Sequence, residues 1–380
     1  MNVLVVCDSC LYFDFGTSFV HAQAAAYAAL GHRVRVVVPY AIGKKDWDGS
    51  RFSGSIHRWE QDGVEIYAMR HLSISNYGKA HFNLASALRV FHRRLDKLLE
   101  GFVPDVIHAH TLGFDSEIGA WLKERLEVPL VVTTHGSDTS APFKQGRFQM
   151  LKDYADKADL IVAVSSALAN KLQSCGTETP VSVVLNGFRI QNRLEGMHGR
   201  GCALLQVGRL EEQKRPHITI QAFAQLQAKR PESVLTLIGS GTHRTSLEAL
   251  CRELGVSENV RFWGEVSNKK VLEAMAEAGF FVMPSVDEGF GIVYLEAMAS
   301  GCIAIGTEGE GIADLIVSGE NGFLVPPDCP EAIAEVIEWC LDHPEGAGAI
   351  AEKGCRDVMS LTWEHNAEQY IELFEKGVRR

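Results

Sequence analysis

The sequence predicts an α/β protein made of two doubly wound, Rossmann-like domains facing each other across a cleft. Three observations carry this. Short apolar runs rich in β-branched residues alternate with amphipathic segments along the whole chain. The alternation pauses once, at the polar stretch GFRIQNRLEGMHGRG (187–201), and then restarts. The chain has 380 residues, 46% of them hydrophobic, which suffices for two cores.

In order, VLVVC (3–7), VRVVVP (34–39), DVIHAH (105–110), LVVTTH (130–135), LIVAVS (160–165) and VSVVLN (181–186) read as buried parallel strands. Between the first two lies FVHAQAAAYAAL (19–30), a helix closed by Gly31. The second set is ALLQVG (203–208), VLTLIG (234–239), VRFWG (260–264), FFVMPS (280–285), CIAIG (302–306) and FLVPP (323–327). The expected domains are therefore 1–186 and 201–362, joined by a linker at 187–200. Trp363 to Val378 reads as an amphipathic helix, and segment 363–380 is expected to pack back on the first domain. The stretches 40–62 and 72–82 match no pattern, and neither a short repeat nor a low-complexity tract occurs.

Composition narrows the function. A net charge of −11 argues against nucleic acid as a partner. The charge is uneven: residues 1–185 hold 19 basic and 19 acidic side chains, and the remainder 18 and 29. An anionic membrane would repel the first half less, although ordinary drift between domains gives the same imbalance. Helix 83–102, NLASALRVFHRRLDKLLEGF, sets Arg89, Arg93, Arg94 and Lys97 beside leucines. Such a helix suits an anionic surface, or is simply a domain helix with a solvated face. The apolar runs fall well short of the roughly 18 residues that cross a bilayer. The start MNVLVVC lacks the basic region of a signal peptide, and nine cysteines without an export signal suggest reduced thiols in a cytoplasm.

Ligands of open α/β sheets bind outside the carboxyl ends of the strands, so residues that follow strands are the informative ones. Strand 203–207 runs into Gly208-Arg209, with Lys214 five residues after the arginine and Pro216 opening a helix. A planar fork plus a point charge suits a diphosphate; a solvated basic loop is the competing reading. Strand 280–285 runs into Glu288-Gly289-Phe290-Gly291, and a helix from Ile292 carries Glu296. Glycines at a helix start let backbone N–H groups approach a phosphate. Carboxylates accept from hydroxyls and repel phosphate. A nucleotide sugar, anionic in its middle and hydroxyl-bearing at both ends, fits this alternation. The plain alternative is a capping acid and a surface acid.

Other motifs are weaker. His135 ends a strand before Gly136; its imidazole or carbonyl could face a sugar, or it is a structural histidine. His108 and His110 also end a strand and suit structural or acceptor-side roles, since further metal ligands at suitable spacing are missing. Asp46-Trp47-Asp48 mimics a metal-binding Asp-x-Asp, but it sits in GKKDWDGS with no strand leading into it. Cys7-Asp-Ser-Cys10 has redox spacing in the wrong context and reads as coincidence.

Taken together these segments resemble the retaining glycosyltransferases of family 4, which have the GT-B fold. Glu288 to Glu296 resembles the family's Glu-x7-Glu motif, VGRLEEQKR (207–215) its Val-Gly-Arg-Leu-x4-Lys element, and LNGF (185–188) its Asn-Gly turn. VVTTHGSD (131–138) resembles its histidine loop, and GTSFVHAQAAAYAALGHRVRVVVP (16–39) its first loop, helix and second strand. There are two departures. Gly16-Thr17 stands where many members have Gly-Gly, and Asn186-Gly187-Phe188-Arg189 where Asn-Gly-Val-Asp is common.

The resemblance implies that Arg209 and Lys214 hold the donor diphosphate, Glu296 the ribose hydroxyls and Glu288 the donor-sugar hydroxyls. It implies backbone contacts to phosphate and sugar from Gly289, Phe290, Gly291 and Ile292. Gly16 would meet the pyrophosphate, His135 the donor sugar near its reacting carbon, and Val266 the base. The first domain would then bind a glycan or lipid-linked acceptor and the second the nucleotide sugar, with neither metal nor other cofactor. The first-helix pattern looks most like bacterial enzymes of surface polysaccharide or glycoconjugate assembly. A nucleotide-sugar epimerase of the same fold and a non-catalytic nucleotide-sugar-binding protein remain as alternatives. A glycoside hydrolase and a dinucleotide dehydrogenase are disfavoured, since the glutamates flank a phosphate-type turn and no G-x-G-x-x-G follows the first strand.

Overall fold

The structure, a computed structural model, describes residues 1–8, 19–42, 56–73, 80–190 and 201–378. Gly16, Thr17, Cys10, the Asp46-Trp47-Asp48 motif and most of the expected linker lie outside the described residues. The chain divides into two compact units, Met1–Gly187 with Trp363–Arg380, and Phe188–Thr362.

The first unit runs β1 (Asn2–Val6), α1 (Phe19–Ala29), β2 (Arg33–Ile42), β3 (Ile56–Gln61), β4 (Val64–Leu72), α2 (Ala80–Leu99), β5 (Val106–His110) and α3 (Phe114–Leu126). It continues with β6 (Leu130–Thr134), α4 (Ser137–Lys144), α5 (Phe148–Ala155), β7 (Leu160–Ala163), α6 (Ser166–Ser174) and β8 (Val181–Val183). The strands form one sheet in the order β3-β4-β2-β1-β5-β6-β7-β8. Every residue of β5 and β6 is buried, which is why these strands read as continuous apolar runs rather than as alternation.

The hairpin β3–β4 is antiparallel and was not expected, since 40–62 showed no interpretable pattern. Its turn, Asp62-Gly63, has φ of 51° and 74°, the left-handed pair that an Asp-Gly hairpin turn requires. The dipeptide was the available signal. Helix α2 ends at Leu99, three residues before the expected end, because Gly101 turns left-handed at φ 63°.

The second unit runs β9 (Ala203–Val207), α7 (Pro216–Lys229), β10 (Val234–Ile238), α8 (Arg244–Glu253), β11 (Val260–Gly264), α9 (Asn268–Glu277) and β12 (Phe280–Val282). It then continues with α10 (Ile292–Ala299), β13 (Ile303–Thr307), β14 (Phe323–Val325), α11 (Pro330–Asp342) and α12 (Pro344–Val358). Its sheet order is β11-β10-β9-β12-β13-β14, with every pair parallel. Strand β12 stops at Val282, short of the expected 285, because Pro284 has no N–H to donate to a ladder.

The last helix, α13 (Trp363–Val378), belongs to the first unit and packs on α1. Gln23 donates to Asn366 at 2.7 Å, Asn366 donates to the Leu185 carbonyl at 2.7 Å, and Tyr370 and Phe374 are buried. The core of this unit gathers Leu4, Val6, Phe91, Ile107, Leu130 and Val132, among others. The second unit has its own core, around Phe223, Leu235, Leu237, Ile303 and Ile337. Both units are mostly parallel α/β, as the sequence predicts.

Candidate active site

In the second sheet the strand order reverses between β9 and β12, which pair directly. Chain connections leave such neighbours in opposite directions, so the loops beyond their carboxyl ends border a crevice. These are the loops that carry the cationic and the Glu-Gly-Phe-Gly segments.

After β9 the chain turns at Gly208, and a Cβ on Gly239 would stand 2.0 Å from the Gly208 carbonyl oxygen. The neighbouring strand ends must therefore touch backbone to backbone. Leu210 is buried and anchors the loop, Glu212–Lys214 form one 3₁₀ turn, and Arg215 at φ 48° passes into α7. Gln206 donates to the Lys214 carbonyl at 2.7 Å, which fixes the lysine backbone to the sheet. Arg209, on the same loop, is exposed.

After β12 the chain is held against that loop. The Val286 N–H donates to the Gln213 carbonyl at 2.9 Å, and the Gln213 side chain donates to the Asp287 carbonyl at 2.8 Å. The Lys214 ammonium forms an ion pair with the Glu288 carboxylate, each side chain about 15% exposed. Phe290 is buried and pins the turn. Gly291 caps α10 at φ 84° without any side-chain hydrogen bond. A Cβ there would meet the Tyr294 ring at 2.8 Å, so a glycine is needed for packing as well as for conformation. The uncapped N–H groups and the helix dipole make this turn electropositive.

Glu296 lies further along α10 and is half-buried. Burial pushes its carboxyl up to about 7, opposed by a hydrogen bond from Asn268. Asn268 is the first residue of α9 and follows Val266 by two positions, so Glu296 lies near the segment assigned to the base. The structure thus brings Lys214, Glu288 and Gly289–Ile292 together, and sets Glu296 beside the 266–268 segment.

The sequence reading missed Glu310. Its carboxylate accepts the Glu288 N–H at 2.9 Å. The signal was present in TEGEGI (307–312), an acid and a glycine directly beyond a strand, the same pattern that singled out Glu288.

In the first unit His135 follows β6 and precedes Gly136 at φ 119°. Asp138, in the first turn of α4, accepts from the His135 N–H at 3.1 Å, the Gly136 N–H at 2.9 Å and the Leu112 N–H at 2.9 Å. The His135 Nε2 lies 3.0 Å from the His110 Nδ1, with the rings within 9° of parallel. His108, two residues earlier on β5, contacts the Thr133 hydroxyl at 2.8 Å, which in turn reaches the Tyr370 hydroxyl at 2.9 Å. Burial lowers all three histidines, His108 to about 3, His135 to about 4 and His110 well below its ordinary value. His135 is therefore neutral near pH 7, and its Nε2 stands at hydrogen-bond distance from the His110 Nδ1. Among the described residues no group of three or more side chains could hold a metal ion.

A family model for glycosyltransferase family 4 matches residues 16–192, and one for glycosyl transferases group 1 matches residues 199–356. A D-inositol 3-phosphate glycosyltransferase of Nocardioides sp. is 27% identical over 357 residues, covering 83% of this chain and 77% of that protein. An uncharacterized glycosyltransferase of Methanocaldococcus jannaschii is 28% identical over 262 residues, covering 68% and 72%. Among solved structures, Anabaena HepE in complex with UDP superposes with a TM-score of 0.75 at 20% identity, covering 99% of this chain and 100% of HepE. Sucrose-phosphate synthase of Thermosynechococcus elongatus superposes at 0.76 with 20% identity, covering 98% of each chain.

Proposed function

The chain belongs to the group 1 glycosyltransferases of family 4, and from that premise we propose that it moves a sugar, with retention, from a nucleotide diphosphate sugar to a hydroxyl of a glycan or lipid-linked acceptor. The observation that carries this is the Lys214–Glu288 pair beside the uncapped start of α10. One small area offers an ammonium for phosphate, a carboxylate for hydroxyls and free amide dipoles for the leaving group.

In this reading Arg209 and Lys214 hold the diphosphate, with Gly16 and the amides of Gly289, Phe290, Gly291 and Ile292. Glu288 accepts from the sugar hydroxyls, Glu296 from the ribose, and Val266 borders the base. His135 is the residue of the first unit assigned to the reacting carbon, and as a neutral imidazole it does not oppose positive charge on the sugar. Residues 1–186 take the acceptor and 201–362 the donor. The bond from the anomeric carbon to the diphosphate oxygen breaks as the acceptor oxygen bonds on the same face, and the acceptor proton passes to the departing phosphate. Arg209, Lys214 and the α10 start stabilise charge where it develops, without a metal.

The exposed basic face of α2, with Arg89, Arg93, Arg94 and Lys97, supports peripheral contact with an anionic cytoplasmic membrane face. No described helix is long and apolar enough to cross a membrane. Surface polysaccharide or glycoconjugate assembly is the setting that joins these features.

HepE is also described with UDP-glucose, which makes it the first donor to try. Thermal shift with UDP, GDP and ADP and their sugars identifies the donor, and proton NMR of the product gives its anomeric configuration. Retention is expected, and an inverted product overturns that part of the reading. Lys214→Ala is expected to lower turnover by about 10²–10³ with the fold intact. Unchanged turnover removes the diphosphate role.

A further inference from the structure

We propose that Glu310 is a positioning residue for Glu288, holding the sugar-end carboxylate in place through its backbone; this rests on the donor reading above. Glu310 follows β13 and is half-buried. Its Oε2 accepts the Glu288 N–H at 2.9 Å. A charged acceptor on a backbone amide is among the stronger hydrogen bonds. The next residue reinforces the grip. A Cβ on Gly311 would stand 2.1 Å from the Gly289 carbonyl oxygen and 2.9 Å from the Phe290 Cα, so its bare backbone lies directly against the turn. Residues 310 and 311 thus hold two consecutive residues of the motif, one by a hydrogen bond and one by contact.

The opposite flank is held by Gln213, which bonds Asp287 and Val286 at 2.8 and 2.9 Å. Between the two grips Asp287 sits at φ 55°, a left-handed conformation that a non-glycine residue adopts when its surroundings enforce it. Loss of the Glu310 carboxylate frees the 287–288 peptide to relax and carries the Glu288 side chain away from the sugar hydroxyls. The Lys214 backbone is fixed separately, through Gln206 at 2.7 Å, so the lysine stays placed for the phosphates when Glu288, the partner of its ammonium, moves. Glu310 therefore governs the part of donor affinity that comes from the sugar and leaves the nucleoside diphosphate part alone.

The test compares two dissociation constants by calorimetry. One is for the nucleoside diphosphate that binds most tightly among UDP, GDP and ADP. The other is for its tightest sugar ester among glucose, galactose, mannose and N-acetylglucosamine. The ratio of the two is the sugar increment. Glu310→Ala is expected to cut that increment about tenfold, the effect of losing one charge-assisted hydrogen bond. Its nucleoside diphosphate affinity should stay within about twofold of the parent, and Glu310→Gln, which keeps an acceptor oxygen, should restore most of the increment. Glu288→Ala should abolish the increment. A parental increment in Glu310→Ala, with Glu288→Ala defective, overturns the role of Glu310 alone. Equal loss of both affinities in Glu310→Ala also overturns it, as a general structural defect. An unaffected increment in Glu288→Ala, or no increment in the parent, overturns the assignment of Glu288 itself.

Discussion

Burial holds the Glu296 carboxyl at about 7, against an ordinary value of 4.5. A raised folded-state value means that the neutral form is favoured by folding. That stability is present below pH 4.5 and is lost as the pH rises through 7, by at most about 3 kcal/mol. Glu296→Gln keeps the shape and removes the titration. Its melting temperature is expected to match the parent at pH 4 and to exceed it at pH 8, while nucleotide binding weakens. An equal offset at both pH values would reject the burial argument. Glu296 was legible in the sequence as a carboxylate eight residues after Glu288. Its Asn268 partner and its raised proton affinity were not, because the first comes from another helix and the second from burial in the folded unit.

At the scale of elements, the informative positions are strand ends. The ends of β9, β12 and β13 supply Lys214, Glu288 and Glu310, three residues spread over almost a hundred positions of sequence. The ends of β5 and β6 supply the histidines, with His108 and His110 two apart on one strand. All three histidines have lowered proton affinities through burial. For a lowered folded-state value, stability is present above the ordinary histidine value of 6.5 and is lost as the pH falls through the folded one. The denaturant midpoint of the first unit is therefore expected to drop steadily from pH 6.5 to 4.5, with uptake of up to three protons. A flat profile over that window in an Asp115→Asn background, which removes the buried carboxyl that titrates with the opposite sign, would show by urea titration at stepped pH that the imidazoles are solvated.

At the scale of the whole molecule, the second unit is one continuous segment and the first is not. Residues 363–378 return to complete the first unit, with Phe374 and Tyr370 buried against Tyr27 and His108. Phe374→Ala is expected to destabilise that unit by about 3–5 kcal/mol through the cavity left behind. A Phe374→Ala protein whose first unit melts like the parent would mean that α13 is only loosely docked. The amphipathic pattern of 363–378 made the helix legible from sequence. Its partner surface on α1 was not legible, because a small-residue helix such as AQAAAYAA has no strong apolar stripe to announce a neighbour.

Local chemistry in the sequence determined the alternation of strands and helices, the break near 187–201, and the glycine and carboxylate pattern on which the proposed donor site rests. Each follows from side-chain size, backbone freedom or charge within a few residues. Tertiary structure alone decided that Lys214 meets Glu288, that Glu310 reaches the Glu288 backbone, and that the His110 and His135 rings meet at hydrogen-bond distance. Those contacts depend on strand order. In a parallel sheet, residues far apart in the chain become neighbours when their strands pair, and no local pattern records which strands will do so.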